Sequence, residues 1–175
     1  MMNNMTHTDR ALRRDLLTLV PATLLSACGF QLRQAPSFQF KSLYIAIAPN
    51  SSLGQELKRQ VQGTGAVQLL TEPTQALAAD VVLESLADQR EKVVVGVSAA
   101  GQVREFQLRV RFRFRLRTPQ GKELAPDTEL LLQRDISYNE SQALSKEAEE
   151  ALLYRDMQSD IVQQVMRRLA AVRLG

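Results

Sequence analysis

The stretch that most constrains this chain runs from Gln102 to Arg117. Its even positions read Phe106, Leu108, Val110, Phe112, Phe114 and Leu116, and its odd positions read Arg109, Arg111, Arg113, Arg115 and Arg117. Successive side chains of a strand point to opposite faces, so this alternation predicts a strand with one buried face and one cationic face. Ser98 to Gly101 reads as the turn before it. Pro119 to Gly121 turns the chain again, into a partner strand from Thr128 to Ser137 with Leu130, Leu132 and Ile136 on one face.

The rest of the chain supplies layers for that pair. Leu43 to Ala48 reads as a first strand, stopped by Pro49 and Asn50. Ser52 followed by Gln55 fits a capping box, and Leu53, Leu57 and Val61 form one stripe of a short helix that ends at Gly63 and Gly65. Val67 to Leu70 is a brief strand or strand start, and Glu72 to Ala79 a loop. Val81 to Leu86 and Val93 to Val97 read as strands that could be one bent ribbon. A long helix is expected from about Ser145 to Val172, with Leu153, Met157, Ile161, Val165, Leu169 and Val172 as its buried stripe. Acids in its first turns and arginines in its last complement the helix dipole. The order β-α-β-β-β-α predicts an α+β two-layer sandwich, two helices on one face of a mixed four-stranded sheet.

Ahead of this domain stands a different pattern. Arg13 and Arg14 precede a mostly apolar stretch from Leu16 to Leu25, and the run Leu25-Ser26-Ala27-Cys28 follows. Basic, apolar, then small residues before a cleavage point is the order of an export signal, Sec or twin-arginine. The cysteine makes it resemble a lipobox. A bilayer-spanning helix needs about 20 apolar residues, more than this segment offers. Residues 1–27 are therefore expected to be removed as a signal peptide. Cys28 is then lipidated with diacylglycerol and an N-acyl chain, residues 28–40 form a tether, and residues 41–175 form one domain. Two or more acyl chains hold a protein stably to a membrane surface.

Composition narrows the chemistry. The only histidine, His7, lies in the expected signal peptide, there is no tryptophan, and Cys28 is the one cysteine. The mature domain thus lacks the usual general base, the commonest metal ligand and a free thiol nucleophile. No spacing points to a Ser–Lys dyad, a carboxylate pair or a phosphate loop. The chain reads as a non-enzyme without a cofactor.

The cationic face of the central strand needs an offset. Neighbouring arginines on it lie about 7 Å apart, where like charges in water repel by roughly 0.6 kcal/mol. Glu129 and Asp135 on the partner strand could pair with them. Alternatively Arg109, Arg111, Arg113, Arg115 and Arg117 meet an anionic ligand or partner, since a guanidinium fork suits phosphate. Nucleic acid fits poorly, because Phe106, Phe112 and Phe114 point away from the arginines rather than forming stacking platforms beside them.

Several short motifs, taken in order, resemble the LptE family of lipopolysaccharide-assembly lipoproteins. They are Cys28-Gly29-Phe30-Gln31-Leu32-Arg33, the Gly101-Gln102 turn followed by Glu105-Phe106-Gln107-Leu108, and Ala143-Leu144-Ser145-Lys146 with Glu149 and a Met157-containing helix. The resemblance implies an outer-membrane lipoprotein on the periplasmic side that plugs an LptD-type β-barrel, helps to assemble it and binds lipopolysaccharide. Gly29 suits that address, an Asp there being the inner-membrane retention signal. The family's basic residue in its Ala-Leu-x-Lys segment falls on Lys146. Its other basic position falls on Ala99, where this chain departs, with Arg104 close by as a substitute. A rival reading is another periplasmic lipoprotein of similar build, such as a pilotin that escorts a secretin.

Overall fold

The computed structural model describes residues 37–174. The signal segment, Cys28 and most of the expected tether lie outside the described residues. The first strand, β1 (Ser42–Ala46), leads into helix α1 (Ser52–Thr64), a short strand β2 (Gln68–Leu70) and a 3₁₀ turn, Pro73–Ala78. Three long strands follow, β3 (Val81–Val97), β4 (Val103–Arg117) and β5 (Glu123–Ser137), and helix α2 (Ala143–Ala170) closes the chain.

The sheet has five strands in the order β2-β1-β3-β4-β5, not the expected four. The added strand is the three-residue β2, which pairs parallel with β1 from Ser42↔Gln68 to Tyr44↔Leu70. The sequence reads Val67 to Leu70 as a brief strand or strand start, and the edge of β1 makes it a full member of the sheet. The mixed character expected from the sequence is present: β1 is parallel to both its neighbours, while β3, β4 and β5 are antiparallel. The two apolar runs of the bent ribbon are one strand, β3, with register shifts at Ser85/Ala87 and around Gly96.

Both helices contribute to one core with the inner face of the sheet. Leu53, Leu57 and Val61 of α1 join Met157, Ile161, Val165 and Leu169 of α2 over Leu108, Val110, Phe112, Phe114 and Leu116. Phe40 is buried in the same core with Phe38 beside it, their rings 5.4 Å apart. The start of β1 is pinned to β3 by Asp80, whose carboxylate accepts from the backbone of Lys41 at 2.8 Å and Ser42 at 3.0 Å. Those bonds, the Lys41 one foremost, hold the Asp80 carboxyl below the ordinary carboxylate range.

The cap of α1 is one residue earlier than the sequence suggests. Ser51, not Ser52, is the N-cap: its Oγ accepts from the Gly54 amide at 2.8 Å and donates to Asp88 Oδ2 at 2.6 Å. Asp88 lies far along the chain on β3, so local spacing could not reveal it. Ser52 is free to serve the interface between the helices. There its hydroxyl donates to the buried Gln158 of α2 at 2.8 Å, and Arg90 of β3 donates to both residues. Helix α1 ends on Gly65, whose φ of 63° is left-handed backbone that glycine adopts without a steric penalty.

Candidate functional site

Among the described residues no layer packs on the outer face of the sheet, and that face carries Arg109, Arg111, Arg113, Arg115 and Arg117 of β4. They are not equivalent. Arg115 Nη2 and Arg117 Nε lie 3.1 and 3.0 Å from Glu84 Oε2, across β3. Their hydrogen bonds, Arg115's first, outweigh the burial of Glu84 and lower its pKa, while Glu84 in turn raises that of Arg115. On the other side, Arg111 Nε lies 3.7 Å from Glu129 Oε1. Arg109 meets an amide instead, donating from Nε to Gln107 Oε1 at 2.8 Å. Arg113 is exposed and has no hydrogen-bond or ion-pair partner among the described residues.

The acids therefore differ from those expected. Glu129 does meet an arginine, but Asp135 accepts from Gln107 Nε2 at 2.9 Å and offsets no cation directly. Glu84 was missed. It is opposite Arg115 only because β3 and β4 pair in that register, beyond a shift at Ser85/Ala87 that no period in the sequence discloses. Arg109 and Arg113 are left as the cations of this face without an acidic contact.

A second cluster lies at the hairpin end of the sheet, where the first turns of α2 pass over β4 and β5. A pocket of about 120 Å³ is lined there by Lys92, Phe106, Ile136, Tyr138, Lys146 and Glu150, among others. Lys146, one residue of the family-derived pair, has a side chain only 18% exposed; its Nζ lies 2.8 Å from Glu149 Oε2 and 3.2 Å from Ser137 Oγ. It is a paired cation at the pocket wall rather than a free surface lysine. Lys92 is the neighbour that the sequence reading did not single out. Its Nζ lies 2.6 Å from Glu150 Oε2 and 4.3 Å from the centre of the Phe106 ring, which meets Tyr138 edge-on. Only the alternation of β3, which turns Lys92 toward α2, could have pointed to it.

Arg104 stands at the same end. Its backbone carbonyl accepts from the Tyr138 amide at 2.7 Å, its side chain reaches Gln102 at 3.4 Å, and it is exposed at the strand start. Ala99 lies beyond it, in the exposed hairpin turn. The structure thus gathers Arg104, Lys146 and Lys92 at one end and spreads the five other arginines along the outer face. Among the described residues no group of acids, histidines or cysteines could hold a metal ion, and no helix is long and apolar enough to cross a membrane.

The fold is shared with several solved bacterial lipoproteins. An uncharacterized lipoprotein B from Nitrosomonas europaea is 33% identical, with a TM-score of 0.70 over 82% of this chain and 91% of that one. The rare lipoprotein B from Shewanella oneidensis shares the fold at 21% identity and a TM-score of 0.61, over 75% of this chain and 95% of that one. A minor lipoprotein from Acinetobacter baumannii does so at 21% identity and 0.59, over 77% and 93%. No curated protein matches the chain. The class is that of bacterial envelope lipoproteins. The model of the LptE family, described as lipopolysaccharide-assembly, matches residues 40–169, and the chain belongs to that family. LptE proteins are non-enzymatic and carry no cofactor.

Proposed function

We propose that this protein is anchored through Cys28 to the periplasmic side of the outer membrane. There it plugs and helps to assemble an LptD-type β-barrel, and it binds lipopolysaccharide for delivery to the outer leaflet. The observation that carries the reading is the outer face, against which no described element packs and where Arg109 and Arg113 make no ion pair among the described residues. Guanidinium groups that make no ion pair on an outward sheet face suit the polar lumen of a barrel or the phosphates of a glycolipid. Lys146 and Arg104 at the hairpin end are the lipopolysaccharide-binding candidates. Lys146 serves a phosphate by exchanging its bond to Glu149, and so contributes less than an unpaired cation would.

The test is copurification from detergent-solubilised outer membrane. An LptD-type barrel in equimolar complex supports the reading, and a secretin ring in its place would overturn it. Replacing Lys146 by Asp is expected to lower lipopolysaccharide affinity, more at low salt than at high salt, and Ala99→Arg to raise it. Equal affinity of these two variants and the native protein at low salt would remove Lys146 from the site and leave the plug role standing.

A further inference from the structure

Strand β1 accompanies β3 over a short distance only. It pairs from Leu43↔Val81 to Ala46↔Glu84 and then leaves the sheet, while β3 runs on to Val97 with β4 along its other side. From Ser85 onward no described strand lies along this edge of β3. Where the two strands part, an open notch of about 520 Å³ is lined by Ile47, Ala48, Leu86 and Ala87, among others.

The backbone of this edge offers a ladder. The Tyr154 hydroxyl of α2 donates to Glu91 O at 2.7 Å, so Glu91 turns its backbone groups to the edge and not to β4. The register with β4 is unbroken from Ala87 to Val94, and alternate residues of an antiparallel strand face the same side, so Gln89 and Val93 are turned like Glu91. A carbonyl has two lone pairs, which leaves Glu91 O able to take a second donor. Edge strands are commonly guarded by charges or prolines. Here the charges are drawn away from the edge. Asp88, Arg90 and Lys92 lie opposite Phe112, Val110 and Leu108, on the helix side. Asp88 meets Ser51, Arg90 meets Ser52 and Gln158, and Lys92 meets Glu150. The edge strand on the other side of the sheet, β5, carries Pro126, whereas β3 has no proline.

Charge says what kind of strand fits. Ala87, at the notch, lies opposite Arg113. Arg113 makes no ion pair among the described residues, and the methyl group of Ala87 is too short to screen it. A strand added beyond β3 would lie two strand spacings from β4, about 10 Å. An arginine and a carboxylate side chain together span that distance, and their pairing is a strong charge-assisted contact. Arg113 also belongs to the face assigned to the barrel above, so one partner reaches both the face and the edge.

We propose that an extended, acid-bearing segment of the barrel partner adds to the sheet along β3 from Ala87 to Val93, with an apolar side chain in the notch and a carboxylate against Arg113. Main-chain bonds supply the affinity of such a contact, and the notch and Arg113 set its register. This rests on the plug reading above and names a contact by which the barrel holds the plug.

The test uses the full-length protein in the outer membrane. The photo-crosslinking residue p-benzoylphenylalanine in place of Gln89 should join the chain to the barrel, and peptide mapping should place the crosslink in a stretch that carries an Asp or Glu. Gln89→Pro removes an edge-facing amide and no bond to β4, so it should leave the melting temperature nearly unchanged and lower barrel capture about tenfold. Arg113→Glu should lower capture too, and a Lys in place of the mapped carboxylate should restore it. Should Gln89→Pro melt early, the crosslink and this charge exchange decide. Capture by a folded Gln89→Pro protein at the native level, a crosslink mapped to a stretch without an acid, or no rescue by the exchange would overturn the proposal and leave the plug role standing. A crosslink to a second copy of this chain would overturn it in favour of a dimer. A native protein that captures no barrel would overturn both.

Discussion

The two faces of β4 come from the same residues in the same alternation, yet they are completed in different ways. On the inner face Leu108, Phe112 and Leu116 are fully buried, because α1 and α2 lay their own apolar stripes over them. That contact is non-directional and needs only matching volume and area. On the outer face the arginines stay partly or fully exposed and are held by a few acids whose positions depend on strand register. One face is finished inside the chain. The other is held at Glu84 by Arg115 and Arg117 and at Glu129 by Arg111, while Arg113 and Arg109 make no ion pair among the described residues.

The comparison is most sharply broken from the inside. Phe112→Ala removes a fully buried ring from the middle of β4 and should cost about 3–5 kcal/mol, read by urea denaturation. A loss comparable to that of a surface substitution would mean that the helices do not close this face as described. The outer face is tested by two double variants. Arg109→Gln with Arg113→Gln should leave the melting temperature unchanged but weaken barrel copurification. Arg115→Gln with Arg117→Gln should lower the melting temperature slightly, by an amount that shrinks with salt, because Glu84 then loses both partners. The reverse ranking on copurification would place the partner at the other end of the strand.

The smallest expected effect is on pH. The carboxyl of Glu84 has a lowered pKa in the folded protein, so its contribution is fully present above the ordinary glutamate pKa and is lost as pH falls through the lowered value. Compared with Glu84→Gln, the native protein should be somewhat more stable at neutral pH, and the gap should close in acid. A gap that widened in acid would mean that the arginines do not stabilise the carboxylate form.

Legibility followed the range of the interaction. The alternation of β4, the stripe of α2 and the Gly65 stop of α1 are written in residues a few positions apart, and the structure places them where the sequence does, to within a residue or two at the ends. The cap on Ser51, the pairing of the brief strand β2 into the sheet and the pairing of Glu84 each depend on a partner elsewhere in the chain: Asp88, β1 and the register of β3 on β4. The candidate site divides in the same way. Lys146 and the arginine row were visible as residues, but that Lys146 is held by Glu149 and Ser137, with Lys92 across the same pocket, was not.

The sequence by itself determined that β4 has an apolar and a cationic side, that two helices are available to cover one of them, and, through short ordered motifs, the family. Those properties are periodic or local, so they survive in a one-dimensional string. Only the tertiary structure decided which arginines meet an acid and which do not, and that Lys92 and Lys146 line one pocket. Both depend on register, and in a bulged antiparallel pair a slip of one residue moves every side chain to the opposite face.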